Sequence, residues 1–105
     1  MYYDDFVSEL KKMVATKQTF QTLKQDKGFD AVYSQGDIII TPRSTGEERP
    51  IHFREFFKIW NLVGDMSKQE RYNPVNYQQD TYNSSYILTL IHHILKDDEI
   101  EKLSH

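Results

Sequence analysis

"GFDAVYSQGDIIITP", residues 28–42, decides the fold. Phe29, Ala31 and Tyr33 alternate with Asp30, Val32 and Ser34, the period of two that a half-buried strand requires. Gly36 and Asp37 then mark a turn. The run "IIIT" that follows is short and apolar, the pattern of a strand buried on both faces. Pro42 donates no ladder hydrogen bond, so this strand is expected to end near it or to lie there on an edge.

Working outward, "TKQTFQTLK" upstream mixes β-branched and aromatic residues with polar ones and reads as another strand. Downstream, the loop "STGEE" is followed by residues 49–52, which can return antiparallel, with Gly46 supplying the positive φ a tight connection needs. The expectation is a small antiparallel sheet of three or four strands. Such a sheet is not stable bare, and one face requires a cover.

Helices supply it. In residues 2–15 the apolar positions Tyr3, Phe6, Val7, Leu10, Met13 and Val14 recur at spacings of three and four, opposite Asp5, Ser8, Glu9 and Lys12. In "HFREFFKIWNLVG" the residues Phe53, Phe56, Phe57, Trp60 and Val63 form an apolar face with Ile59 at its margin and Gly64 as the stop. Residues 65–82 are polar and irregular, apart from "SKQE", a capping box that can start one helical turn before Asn73 and Pro74 end it. A third helix begins at "NSSYILTLIHHIL", with Tyr86, Ile87, Leu90, Ile91, Ile94 and Leu95 over a broad arc and Leu88 at its edge. The fold class read from the chain is therefore α+β: an N-terminal helix, the sheet, and two further helices in one domain spanning residues 1–105.

Half a circumference of apolar surface on the third helix is more than one neighbour covers. Either the helix lies centrally, or Leu88 and Leu95 meet a second copy across a C2 interface. With so few other elements to cover both edges, a homodimer is the expectation.

Composition narrows function. A chain of 105 residues with 13% aromatics can bury a single real core. The absence of cysteine removes disulfides, thiolate nucleophiles and cysteine-ligated metals, and suits a reducing compartment, so a cytoplasmic location is expected. No stretch approaches the roughly 18 apolar residues of a membrane span, so no membrane role is expected. The net charge of −3 neither demands an anionic partner nor matches a DNA mimic.

Catalysis finds little support. His92 and His93 point about 100° apart on a helix and cannot chelate one ion together. Only His93 with Asp97 has an i, i+4 spacing, and His52 would have to join from elsewhere, so neither metal nor other cofactor is expected. The serines at 34, 44, 67, 84, 85 and 104 lie outside any nucleophile elbow, and the carboxylate pairs Glu47–Glu48 and Asp97–Asp98 read as exposed. The chain reads as a non-enzyme.

Two surfaces are candidates for binding. Arg43 and Arg49 flank the hairpin loop, Ser44, Thr45 and Gly46 offer small donors, and Arg54 and Lys58 continue onto the second helix, an arrangement suited to phosphate. The plain alternative pairs those arginines with Glu47 and Glu48. Arg71, Tyr72, Tyr77 and Tyr82, among amide side chains, form the second surface, suited to a protein partner or to stacking on bases. Here the alternative is that the tyrosines pin a long loop to the core.

The run "GDIIITPRSTGEERPIHFREFFKIW", followed after a polar gap by "NSSYILTLIHHIL", resembles small accessory domains of prokaryotic restriction and mobile-element proteins, over about residues 36–95. The resemblance implies a noncatalytic module working near nucleic acid, in a phage-defence or mobile-element setting. No nuclease signature accompanies it, and the N-terminal third carries no such likeness. The other function expected from the residues is a protein-binding or homodimeric interaction protein, for instance an inhibitor of a partner enzyme.

Overall fold

A computed structural model of the chain describes residues 1–101; residues 102–105, with Ser104, lie outside the described part. The order is α1 (Tyr3–Met13), β1 (Gln18–Gln21), β2 (Gly28–Ser34), β3 (Asp37–Pro42), β4 (Arg49–His52), α2 (Phe53–Asp65), a 3₁₀ turn (Pro74–Tyr77) and α3 (Ser84–Leu95). The architecture is α+β. The four strands form an antiparallel meander in the order β1-β2-β3-β4.

The β2–β3 hairpin closes at the Ser34–Asp37 pair through Gln35 (φ 52°) and Gly36 (φ 88°). Two successive residues at positive φ match the right-handed twist of the strands, so the turn lies one residue earlier than Gly36–Asp37 and Asp37 is already in the ladder. The resulting register sets Ala31 opposite Ile40 and Ile38 opposite Ile51, and all four are fully buried with Phe29. Ile39 departs from the expectation of burial on both faces. It is only half-buried, in a cross-strand row with Val32 and Pro50, because the helices lie on the other face. Ring contacts fix that side: Phe29 meets Tyr86, Phe20 meets His93, and Tyr33 meets Phe53. β3 ends at Pro42, and Gly46 turns the next connection with φ 69°.

In α1, Phe6 and Leu10 are buried, and Phe6 stacks on Trp60 of α2 with ring centres 4.7 Å apart. The Tyr3 hydroxyl donates to the Phe53 carbonyl at 2.7 Å, tying the two helices together. The buried face of α2 is rotated from the expected one: Ile59 is fully buried, whereas Phe57 is 48% exposed. Neighbours explain the rotation, since Phe57 meets the edge of the Tyr3 ring while α2 packs on α3 as well. Gly64 does not stop the helix, which runs on to Asp65 and leaves through an extended Met66 (φ −99°, ψ 155°).

α3 is the centre of the core. Leu88 and Leu95 are 1% and 2% exposed, so the strip assigned to a dimer interface is buried within the chain itself. The broad arc is covered because α3 packs at once against α1, α2, the 3₁₀ turn and the sheet. Even Thr89 is fully buried, its hydroxyl donating to the Ser85 carbonyl at 2.7 Å. Burial of each large aliphatic side chain contributes about 1.5–3 kcal/mol, so the central helix is a principal source of stability. Among the described residues no helix is long and apolar enough to cross a membrane.

Candidate nucleic-acid interface

The loop between β3 and β4 carries Arg43 and Arg49, and strand parity sends them to opposite faces. Pro42 points inward with Ile40, so Arg43 turns to the open face, where its guanidinium lies 3.2 Å from Asp30 and 3.1 Å from the Thr19 hydroxyl. Asp30 is held below the usual carboxylate range by the Thr19 hydroxyl first and by Arg43. Arg49 sits opposite Ile40 in the ladder and faces the helices, its guanidinium 5.8 Å from the centre of the Tyr86 ring on α3. The expected anion clamp of two arginines is thus not assembled, and neither is the expected pairing with Glu47 and Glu48. At the exposed tip the Gly46 N–H closes the turn on the Pro42 carbonyl at 2.8 Å, and Thr45 accepts from the Glu47 N–H at 3.2 Å. Ser44 beside them is exposed.

α2 begins directly after β4. The His52 ring caps it, Nδ1 accepting from the Arg54 N–H at 3.1 Å. Arg54 is exposed one turn before Lys58. Lys58 donates to the Asp80 carbonyl at 3.3 Å, and its Nζ stands 3.9 Å from the Asp80 carboxylate. Glu55 accepts from the Thr81 hydroxyl and from Asn83 Nδ2, the latter at 3.2 Å. Residues 80–83 are therefore lashed along α2, and Tyr82 between these anchors stands 95% exposed. Nothing in the sequence spacing linked Glu55 to Thr81 and Asn83, because the partners lie more than twenty residues apart.

The tyrosine loop divides. Tyr77 is fully buried and donates its hydroxyl to the Arg71 carbonyl at 2.7 Å, with its phenol pushed up to about 12 by burial. Arg71 itself is only 7% exposed, and Tyr72 is half-buried with its ring edge-on to His92 at 4.9 Å. These three pin the loop to the core, and of the four only Tyr82 stands fully out in solvent. The "SKQE" box does form a turn, the Arg71 N–H bonding to the Ser67 carbonyl at 3.0 Å. Pro74 then opens the 3₁₀ turn, capped by Asn73.

Beside Tyr82 runs an open groove of about 660 Å³ lined by Lys24, Gln25, Asn73, Gln78 and Ser85, with no carboxylate on its walls. Elsewhere His93 meets the edge of Phe20 at 5.1 Å, and burial, with His92 and Lys96, lowers its pKa. Among the described residues no three His, Asp or Glu side chains are placed to hold one ion. No protein-family model, curated protein or solved structure matches the chain.

Proposed function

We propose that this chain is a noncatalytic module that contacts nucleic acid weakly, through Arg49, the α2 residues Arg54 and Lys58, and the exposed ring of Tyr82. One observation carries the reading: the Glu55 and Lys58 contacts draw residues 80–83 onto α2, which sets the Lys58 cation and the exposed ring of Tyr82 side by side. Arginine and lysine neutralise phosphates, while a solvent-facing ring stacks on any base. Arg43 is excluded from this surface by its pairing with Asp30. Affinity is expected to be weak, because Asp80 already engages Lys58 and the chain carries a net charge of −3. The phage-defence or mobile-element setting belongs to the same proposal and rests on the resemblance of residues 36–95.

The test is anisotropy of labelled single- and double-stranded oligonucleotides between about 50 and 200 mM salt, where phosphate contacts give a steep linear loss of log affinity. Absence of binding at the lowest salt defeats the proposal. The reading that then replaces it is a protein-binding module, favoured by Val75 (63% exposed) and Tyr82 on the rim of the carboxylate-free groove.

A further inference from the structure

Arg71 is the only charged side chain in the buried class among the described residues. Its Nη2 donates to the Met66 carbonyl at 3.0 Å, its Nη1 lies 3.3 Å from Glu99, and its Nε has no partner. Burying a guanidinium without full satisfaction is costly, and what offsets the cost here is the Glu99 carboxylate, which Lys68 grips from the other side at 3.0 Å. These two cations hold Glu99 below its usual range although its side chain is 50% exposed. A cavity of about 200 Å³ opens at this point, lined by Lys68, Arg71, His92 and Lys96 together with Asp97, Asp98 and Glu99.

The three carboxylates come from consecutive residues of the tail that follows α3, which also carries Lys96, whereas Lys68 and Arg71 come from the turn after α2 and His92 from α3. The tail reverses onto the pocket through Lys96, a non-glycine residue at φ 53°, a strained conformation that persists only where its surroundings impose it. This strap therefore lays Glu99 against Lys68 and Arg71.

We propose that this pocket is a receptor for an acidic segment of a partner protein, and that Asp97–Glu99 is its internal occupant. The occupant seen here identifies the ligand chemistry: a side-chain carboxylate carried on a peptide and gripped by Lys68 and Arg71 at once, while Asp98 lies 3.6 Å from the Met1 amino group. An internal ligand lowers the apparent affinity for an external one by the fraction of time the pocket is filled. Weakening the strap therefore raises affinity for the segment in trans. The proposal uses none of the residues of the nucleic-acid reading, so either can fail alone.

The test is titration of a fluorescein-labelled peptide with the sequence of residues 96–101 into the full chain, as wild type, as Glu99→Gln, and as Glu99→Gln with Lys68→Ala. Glu99→Gln is expected to bind about ten-fold more tightly than wild type, and Lys68→Ala to remove that gain. Lys68 is 75% exposed, so its loss does not threaten folding. Equal affinity of wild type and Glu99→Gln overturns the proposal. So does equal binding of the same peptide with Asn and Gln in place of its acids. Preference for a phosphate-bearing oligonucleotide over the peptide at this pocket overturns it as well. In wild type, excess peptide is expected to shift the Glu99 carboxyl NMR resonance; an unmoved resonance defeats the proposal without recourse to any variant.

Discussion

Arg43 and Arg49 flank one loop in the sequence and leave opposite faces of the sheet: Arg43 lies 3.2 Å from Asp30, and Arg49 stands 5.8 Å from the ring of Tyr86. The separation has an observable consequence for nucleic-acid binding. Arg49→Ala and Arg54→Ala are each expected to weaken oligonucleotide binding three- to ten-fold and to lower the salt slope by about 1. Arg43→Ala is expected to leave both unchanged. Anisotropy titrations over a salt series check this, and an Arg43→Ala variant as impaired as Arg49→Ala contradicts it.

Leu88, 1% exposed, belongs to the core of the chain and not to a subunit interface. Leu88→Ala is expected to cost about 2–5 kcal/mol by transfer and cavity formation. Leu88→Glu is expected to unfold the chain, since a carboxylate at that depth has no partner. Urea denaturation followed by circular dichroism decides the first, and a folded Leu88→Glu monomer is the result that refutes the second.

Alkaline titration probes the loop anchor. Burial raises the Tyr77 phenol from 10.0 to about 12, and Tyr3 is raised in the same direction by burial and by Asp4. A raised folded pKa means that the neutral form is favoured in the native state. The associated stability is complete below pH 10 and is lost as pH rises through about 12. Ultraviolet titration is expected to show Tyr3, Tyr72 and Tyr77 ionising late, all three raised by burial, and a single phase contradicts it. Tyr77→Phe is expected to cost about 1 kcal/mol at neutral pH through the lost bond to the Arg71 carbonyl.

His93 supplies a test on the acid side. Burial first, then His92 and Lys96, depress its pKa, so the unfolded chain takes up the proton that the native state resists. The sign is that of a depressed group: its stability contribution is present above the unfolded value near 6.5 and is lost as pH falls through the lower folded value. His93→Gln is expected to flatten the dependence of the urea midpoint on pH below about 6.5, and an unchanged slope counts against the assignment.

The hairpin turn gives a test of backbone geometry alone. No atom lies within 4 Å of a Cβ built on Gly36, so Gly36→Ala meets no clash and its cost is that of placing a side chain at φ 88°. That cost is expected to be about 1 kcal/mol. Gln35 also sits at positive φ, and Gln35→Asn is expected to add a few tenths of a kcal/mol, because asparagine tolerates this region better. Urea midpoints of the two variants should move in opposite directions.

Local chemistry was enough to determine the elements. Alternation at Phe29, Ala31 and Tyr33, the stop at Pro42, the turn at Gly46 and the apolar stripe of α1 each depend on neighbours within a few residues, and each is found in the structure. What periodicity cannot report is which side of an element another element occupies. Ile39 reads as doubly buried but lies on the uncovered face, and Leu88 reads as marginal but lies in the core, because the helices share one side of the sheet with α3 at their centre. The candidate sites turned on the same limit. Arg43 and Arg49 look paired until strand parity parts them, and Arg71 looks like a surface cation until Glu99, twenty-eight residues away, folds back to meet it. Side-chain type and spacing are properties of the chain; the partner of a charge and the cover of an apolar face are decided only when distant segments meet.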